Sequence, residues 1–321
     1  MNPGKPLEKR PNPPSLTVRV LREGIVESEH RAHAALVDAR GRLRAAAGAA
    51  DGQTFARSSL KPLQGLPVSW SGAGDRFGFQ EADWAVMCGS HRGTMTHVRQ
   101  VFRILWRCDV DPSRLVCPVP AGKNSPLQHN CSGKHAGALA LCRHQHWDLS
   151  AYASPSHPAQ RAIAEVLGEW LGLPPAELMA ARDDCGFPTY LLGLQQLAHL
   201  YGRLTLSGET HSERLVRAMT RHPEMVAGAG AFDTEVMRLS GGELVCKGGA
   251  EGVQCVGRVN EGLGLAIKVW DGADRAKRVA TLRALAQLGW LSPAATEALM
   301  EQFALLPPYS RLEASGELTW Q

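Results

Sequence analysis

The sequence lacks several things, and each lack excludes a class of protein. No apolar run reaches the roughly 18 residues a transmembrane helix needs, so no membrane partner is expected. The N-terminus is polar and carries Pro3, Pro6, Pro11, Pro13 and Pro14, without the apolar core of a secretory signal. Residues 1–14 read as a disordered lead-in, residues 15–321 as a single domain, and the location as cytoplasmic. Charge of one sign is not in excess: 35 Lys+Arg face 31 Asp+Glu, a net +4 in 321 residues, and no basic run stands out, which argues against a nucleic-acid partner. None of the eight cysteines forms a C-x-x-C, so neither a zinc ribbon nor a thioredoxin-like site is indicated. They read as reduced, mostly buried thiols. No nucleotide-binding motif is present, and no nucleotide or organic cofactor is expected.

Lysine is scarce too. Of the 35 basic residues only eight are lysine, so most positive charge is carried by arginine. Arginine cannot be deprotonated in a protein, whereas a desolvated lysine can serve as a base. The lysines therefore merit individual attention, and Lys61, Lys134 and Lys247 fall in motifs.

Alternating apolar residues predict a strand over 15–21, and 33–38, 243–246, 253–259 and 263–270 also read as strands, the last three separated by Gly-rich turns. Helical spacing predicts helices over 81–88, 96–107, 158–171 with Ser156 as N-cap, 191–201, 210–222 opened by a Thr210–Glu213 capping box, 274–288 and 293–303. A short helix is expected at 175–180. Strands thus lie at both ends of the chain, helices lie between them, and a helical pair finishes it. There is no regular alternation of strand and helix. The fold class is α+β: a mostly antiparallel sheet from the N- and C-terminal strands, packed with helices.

Ser58-Ser59-Leu60-Lys61 is an S-x-x-K. On a helix the serine and lysine share one face, and a lysine stripped of its proton can activate the hydroxyl. Pro62 suits only a first turn, which places Ser58 at a helix start. The same residues suit a plain N-cap followed by a surface lysine. Asn130-Cys131-Ser132-Gly133-Lys134-His135-Ala136-Gly137 reads as a helix entry, with Cys131 at the positive end where a thiolate is favoured and Lys134 facing the same way. A capped helix with a buried cysteine fits equally. Asp183-Asp184-Cys185-Gly186 is a turn presenting carboxylates and a thiol. Lys247-Gly248-Gly249-Ala250-Glu251-Gly252 follows a strand, and either a hairpin turn or a lysine projecting into a cleft would account for it.

Together with Gly24-Ile25-Val26-Glu27-Ser28, Cys88-Gly89-Ser90-His91 and Phe232-Asp233-Thr234, these blocks resemble, in matching order, the rhizobial-type L-asparaginases. That family is similar in fold to serine β-lactamases and to one class of glutaminases. The resemblance implies two Ser–Lys pairs, here Ser58 with Lys61 and Ser90 with Lys247, with Asp183 supporting catalysis. It implies substrate contacts from Arg57, His91 and His135. It also implies a zinc-type site with Cys131, Lys134 and Cys185 as ligands, and a homodimer. The implied reaction is hydrolysis of L-asparagine through an acyl-enzyme. Glutamine or another small amide as substrate, and a catalytically silent zinc-binding scaffold, are the alternatives. The chain departs from the family pattern at Arg92 and Thr94, at Asp184 and at Ala231, which bears on substrate preference and metal-site charge more than on the reaction.

Overall fold

A computed structural model describes residues 11–306 and 308–321. The expected tail therefore lies largely outside the described residues. Its last part does not run free, because the carbonyls of Pro13 and Pro14 accept the Gly48 N–H at 3.0 and 3.1 Å.

The chain opens with three strands, β1 (Leu16–Arg22), β2 (Ile25–Asp38) and β3 (Leu43–Ala47), and a short β4 (Gln53–Phe55). A helical layer follows: α1 (Lys61–Trp70), α2 (Ala73–Arg76), α3 (Glu81–Met87), α4 (Met95–Arg107), α5 (Ser132–His144) and α6 (Pro158–Leu171). The hairpin β5 (Ala180–Arg182) and β6 (Pro188–Gly193) interrupts it before α7 (Leu194–Leu204), α8 (Thr210–Arg221), α9 (Pro223–Ala227) and α10 (Phe232–Leu239). The chain returns to the sheet with β7 (Leu244–Gly248), β8 (Val253–Arg258) and β9 (Leu263–Val269). It ends with α11 (Asp274–Gln287), α12 (Pro293–Ala304), β10 (Leu305–Leu306), β11 (Ser310–Ser315) and β12 (Thr319–Trp320).

The main sheet runs β10-β11-β1-β2-β9-β8-β7 with every pairing antiparallel, and β3 joins β2 end to end with β1. The α+β class read from the sequence is thus the observed one. Residues 34–37 of β2 are buried without alternation, which in a strand means that both faces are covered. α7 packs on β2, β8 and β9, and α11 packs on β1, β2, β9 and β11. At Gly264 a Cβ would stand 1.9 Å from the Ala198 carbonyl oxygen, so only glycine lets α7 lie this close to β9. In the helical layer α1 is buried from Lys61 to Ser69 among α3, α5, α6 and α8.

Several expected elements differ. The chain does not finish on a helical pair, because β11 and β12 follow it and pair with β1 and β3. In β11 only Leu312 is buried, so its sequence carries almost no alternation. The start of the expected 191–201 helix belongs to β6, and the expected helix at 175–180 is a single 3-10 turn, Pro175–Glu177, leading into β5. The N-cap of α6 is His157, whose side chain accepts the Ala159 N–H, and not Ser156. The Thr210–Glu213 box does not form, since Glu213 instead accepts the Gly208 N–H at 2.8 Å. No helix among the described residues is long and apolar enough to cross a membrane.

Candidate active site

The site begins where β4 leads into a 3-10 turn, Arg57–Leu60, that runs straight into α1. Arg57 has a φ of +51°, a left-handed conformation uncommon for a residue with a side chain. The bend is held on one side by β6, through Ala56 N to Tyr190 O and Arg57 N to Thr189 Oγ1, both 2.9 Å. On the other side lies the glycine turn after β7: a Cβ at Gly249 would stand 2.9 Å from Ala56 O. Ser58 is thereby presented at the start of the turn. Its Oγ has no hydrogen-bond partner among the described residues.

Lys61, three residues on, is fully buried. Its Nζ donates to Gly89 O at 2.6 Å, Ser90 Oγ at 2.9 Å and Asn130 O at 3.2 Å. The serine to which its amine bonds is therefore Ser90 and not Ser58, the expected partner. Ser90 is fixed by its N–H to Val226 O at 2.7 Å, and Gly89 must be glycine because a Cβ would meet that same carbonyl at 2.7 Å. Burial pushes the Lys61 amine below its ordinary pKa, Lys134 adds to that, and Cys131 opposes it.

The third group comes from the start of α5 and the β5–β6 hairpin. Gly133 and Gly137 let α5 press on α3: a Cβ would stand 2.1 Å from Val86 O at Gly133 and 2.9 Å from Met87 Sδ at Gly137. This close approach carries Cys131 and Lys134 inward. The hairpin loop, closed by Asp183 N to Phe187 O at 2.8 Å, brings Cys185 to within 3.1 Å of Lys134 Nζ. A hydrogen bond from Cys185 holds the Cys131 thiol well below its ordinary pKa against the effect of burial, and Lys61 and Lys134 reinforce it. Cys185 is correspondingly raised by that bond and by burial. Burial would lower Lys134, but Cys131, Cys185 and Asp183 outweigh it and raise its pKa.

Arg57 reaches across the hairpin, with Nε on Asp183 Oδ1 at 2.7 Å and Nη2 on Asp184 Oδ2 at 2.5 Å. From the sheet edge, β7 delivers Lys247, whose Nζ donates to Gly248 O at 2.6 Å and lies 3.7 Å from Asp233 Oδ2. Burial lowers the Lys247 pKa to about 8, against the pull of Asp233.

Ser58, Ser90, Cys131, Asp183, Cys185 and Lys247 all line one cavity of about 470 Å³. Arg57 lines it too, with Lys61 and Lys134 buried beside it. The two histidines stand apart from the cavity lining. His91 bonds Ser132 Oγ at 3.0 Å and stacks on His97, and burial pushes its pKa down to about 3. His135 bonds the Tyr152 hydroxyl at 2.7 Å against Phe187. Neither side chain lines the cavity, and among the described residues His135 Nε2 is buried without a hydrogen-bond partner. Three of the four departures from the family pattern, Arg92, Asp184 and Ala231, line the cavity, whereas Thr94 turns to His97 at 2.6 Å. Sequence reasoning gave no role to Asp233 or Lys277, which also line it. The scarcity of lysine was the available signal for Lys277.

Among the described residues no three His, Cys, Asp or Glu side chains cluster as a metal site. The expected donors do converge, with Cys185 in hydrogen-bond contact with both Lys134 and Cys131. Two sulfurs and a nitrogen are a donor set that suits zinc. Lys134 holds its proton in this arrangement, so an ion taking up these donors must displace it.

The L-asparaginase II family matches residues 18–320, and the chain belongs to that family. Membership supports amide hydrolysis of a small-molecule substrate. Mglu is similar at 17% identity, with a TM-score of 0.41, 81% of this chain and 67% of Mglu covered. For Mglu in its glutamate form the identity is again 17%, the TM-score 0.40, and the coverage 81% of this chain and 62% of that one. The chain thus spans roughly two thirds of the length of Mglu. A β-lactamase from Mycobacterium bovis is similar at 11% identity and a TM-score of 0.38, covering 85% of this chain and 95% of that one. No curated protein sequence matches the chain.

Proposed function

We propose that the protein hydrolyses L-asparagine to L-aspartate and ammonia through an acyl-enzyme. The observation that carries this reading, within an asparaginase family, is the Lys61 amine at 2.9 Å from Ser90 Oγ in a cavity that Ser58 also lines.

Ser58 is the proposed nucleophile, because its hydroxyl is uncommitted and stands at the start of a helical turn. Its Oγ bonds to the side-chain amide carbon, and the hydroxyl proton passes to the Lys61–Ser90 pair. The C–N bond breaks and nitrogen leaves as ammonia, taking a proton through Ser90 with Lys247 as the further carrier. Water then attacks the ester and releases aspartate and the Ser58 hydroxyl. Lys61 must be neutral to accept a proton, and its lowered pKa favours that form. Asp183, held by Arg57, is assigned the role of orienting the substrate ammonium. The direct Lys61–Ser90 bond favours a second reading, with Ser90 as the acylated serine and Ser58 in support.

Cys131, Lys134 and Cys185 are proposed to hold zinc, which when bound supplies a fixed positive charge that orients the substrate. A homodimer is proposed from the family resemblance, and a light-scattering mass near 34.6 kDa would contradict it.

The test is ammonia release by purified protein offered asparagine and, separately, glutamine. Faster turnover of asparagine supports the proposal. Glutamine preference would transfer the mechanism to that amide, and no release from either would leave the scaffold reading.

A further inference from the structure

Six lysines lie among the described residues, and four of them, Lys61, Lys134, Lys247 and Lys277, are buried around this cavity. The reading above uses the first three. Lys277, in the first turn of α11, has no part in it.

Lys277 Nζ donates to Gly249 O at 3.1 Å and pairs with Asp274 Oδ1 at 2.6 Å. A Cβ added at Gly248 would stand 3.2 Å from Lys277 Nζ and 3.5 Å from Asp233 Oδ1, so both groups face one side of that backbone. Asp233 in turn accepts the Gly248 N–H at 2.8 Å and Gln254 Nε2 at 2.9 Å, and stands 3.7 Å from Lys247 Nζ. A buried carboxylate from α10 thus serves one cation from β7 and faces a second from α11. Two bonds, Gly248 N to Asp233 and Lys277 to Gly249 O, tie the glycine turn to the same charges.

We propose that Lys277 is a positioning residue for Lys247: by sharing the charge of Asp233 and holding the Gly248–Gly249 turn, it sets how readily the Lys247 amine yields its proton. The inference rests on the reading of Lys247 as a proton carrier. An amine beside a lone carboxylate keeps its proton, and a second cation on that carboxylate loosens the hold.

The surroundings agree in sign. Lys247 is lowered to about 8 by burial first. Asp233 on α10 opposes this, Lys61 on α1 and Lys277 on α11 add to it, and Cys131 before α5 opposes it. The nearby thiols of Cys88 and Cys255 are pushed up to about 12 by burial and carry no charge at pH 8. On its own helix Lys277 faces Asp274, which also pairs with Arg278. Removing the Lys277 charge leaves both Asp233 and Asp274 freer to hold a proton on Lys247.

With only eight lysines in the chain, side-chain NMR of lysine-labelled protein can follow Lys247 directly, its signal assigned by loss in Lys247→Met. The titration is run on the wild type, Lys277→Gln and Lys277→Arg, beside the pH profile of kcat/KM. Lys277→Gln is expected to move the Lys247 midpoint up by about half a unit to one unit, with the acid limb of kcat/KM following, and Lys277→Arg to leave both in place. Asp274→Asn frees the Lys277 charge and is expected to move the midpoint down, which keeps the test open if Lys277→Gln does not fold. An unmoved midpoint in Lys277→Gln or, if that variant does not fold, in Asp274→Asn would overturn the proposal. So would a shift in Lys277→Arg equal to that in Lys277→Gln. The NMR readout is independent of turnover: a shift without amide hydrolysis sinks the functional reading alone, and hydrolysis without a shift sinks this inference alone.

Discussion

The Lys61 amine and the Ser90 hydroxyl lie 2.9 Å apart, and backbone carbonyls of Gly89 and Asn130 take the other two N–H directions of the lysine. A fully buried amine with three fixed acceptors has one geometry available, so the proton it exchanges has one route. Lys61→Met is expected to lower kcat by about 10²–10⁴-fold while circular dichroism stays native, the range of a lost general base. Lys61→Arg should do no better, since its guanidinium cannot accept a proton. Wild-type turnover in either variant would remove Lys61 from the reaction.

Lys247 sets a pH dependence. Its pKa in the fold is about 8, below the ordinary lysine value, because burial penalises the charged form. The neutral amine, the form that can take up the proton released by the serine before passing it to the leaving nitrogen, therefore becomes the main form above about pH 8, and kcat/KM is expected to rise through that value. The stability linkage has the same origin. Between about pH 8 and the ordinary value near 10.4 the unfolded chain binds more protons at this residue, so its contribution to stability rises with pH across that window. A pH–rate profile of the wild type against Lys247→Met checks the first point, and the variant should lack the limb.

Arg57 ties two carboxylates of one loop to the turn that carries Ser58. Arg57→Ala leaves the largely buried Asp183 without its cation, and about 1–3 kcal/mol of stability should be lost with it. KM should rise about tenfold or more as the loop loses its position, with a smaller change in kcat. Lys at this position should rescue little, because it cannot address both carboxylates with a rigid fork. Steady-state kinetics and a thermal melt on both variants measure these effects.

Metal binding should be strongly pH-dependent. Lys134 is held as an ammonium by Cys131, Cys185 and Asp183, so the ion competes with that proton and its affinity falls as pH drops. Protein prepared without chelator should carry zinc, and Cys131→Ala and Cys185→Ala should lose it. Equal metal content in all three would place any zinc elsewhere.

Much of this was legible in the residues, and the misses have physical causes. Strand β1 and helices α4 and α6 carry their period openly, whereas β7 and β8 are buried along nearly their whole length and do not alternate. β11 and β5 carry almost no pattern, because few of their residues are buried, and the strand β1 that pairs with β11 lies at the other end of the sequence. The two serines, the lysines at 61, 134 and 247 and the two cysteines could be picked out from their motifs. Which lysine meets which serine could not, since Lys61 reaches Ser90 only because Gly89 packs against Val226 and α5 lies tight on α3. His91 and His135 belong to blocks that mark the site, but block membership does not tell a lining side chain from one buried behind the wall. Lys277 sits in no block at all, and beyond the scarcity of lysine nothing marks it until α11 packs on the sheet and its amine meets the turn after β7.

The most direct test of the account is rapid-quench intact-mass analysis of the protein mixed with L-asparagine, followed by peptide mapping. The account predicts a transient adduct of one aspartyl group per chain, carried by Ser58, absent in Ser58→Ala and appearing together with the first turnover of ammonia. An adduct mapped to Ser90 would exchange the roles of the two serines. Ammonia release with no covalent adduct at any quench time, under conditions where deacylation is slowed, would contradict the acyl-enzyme itself.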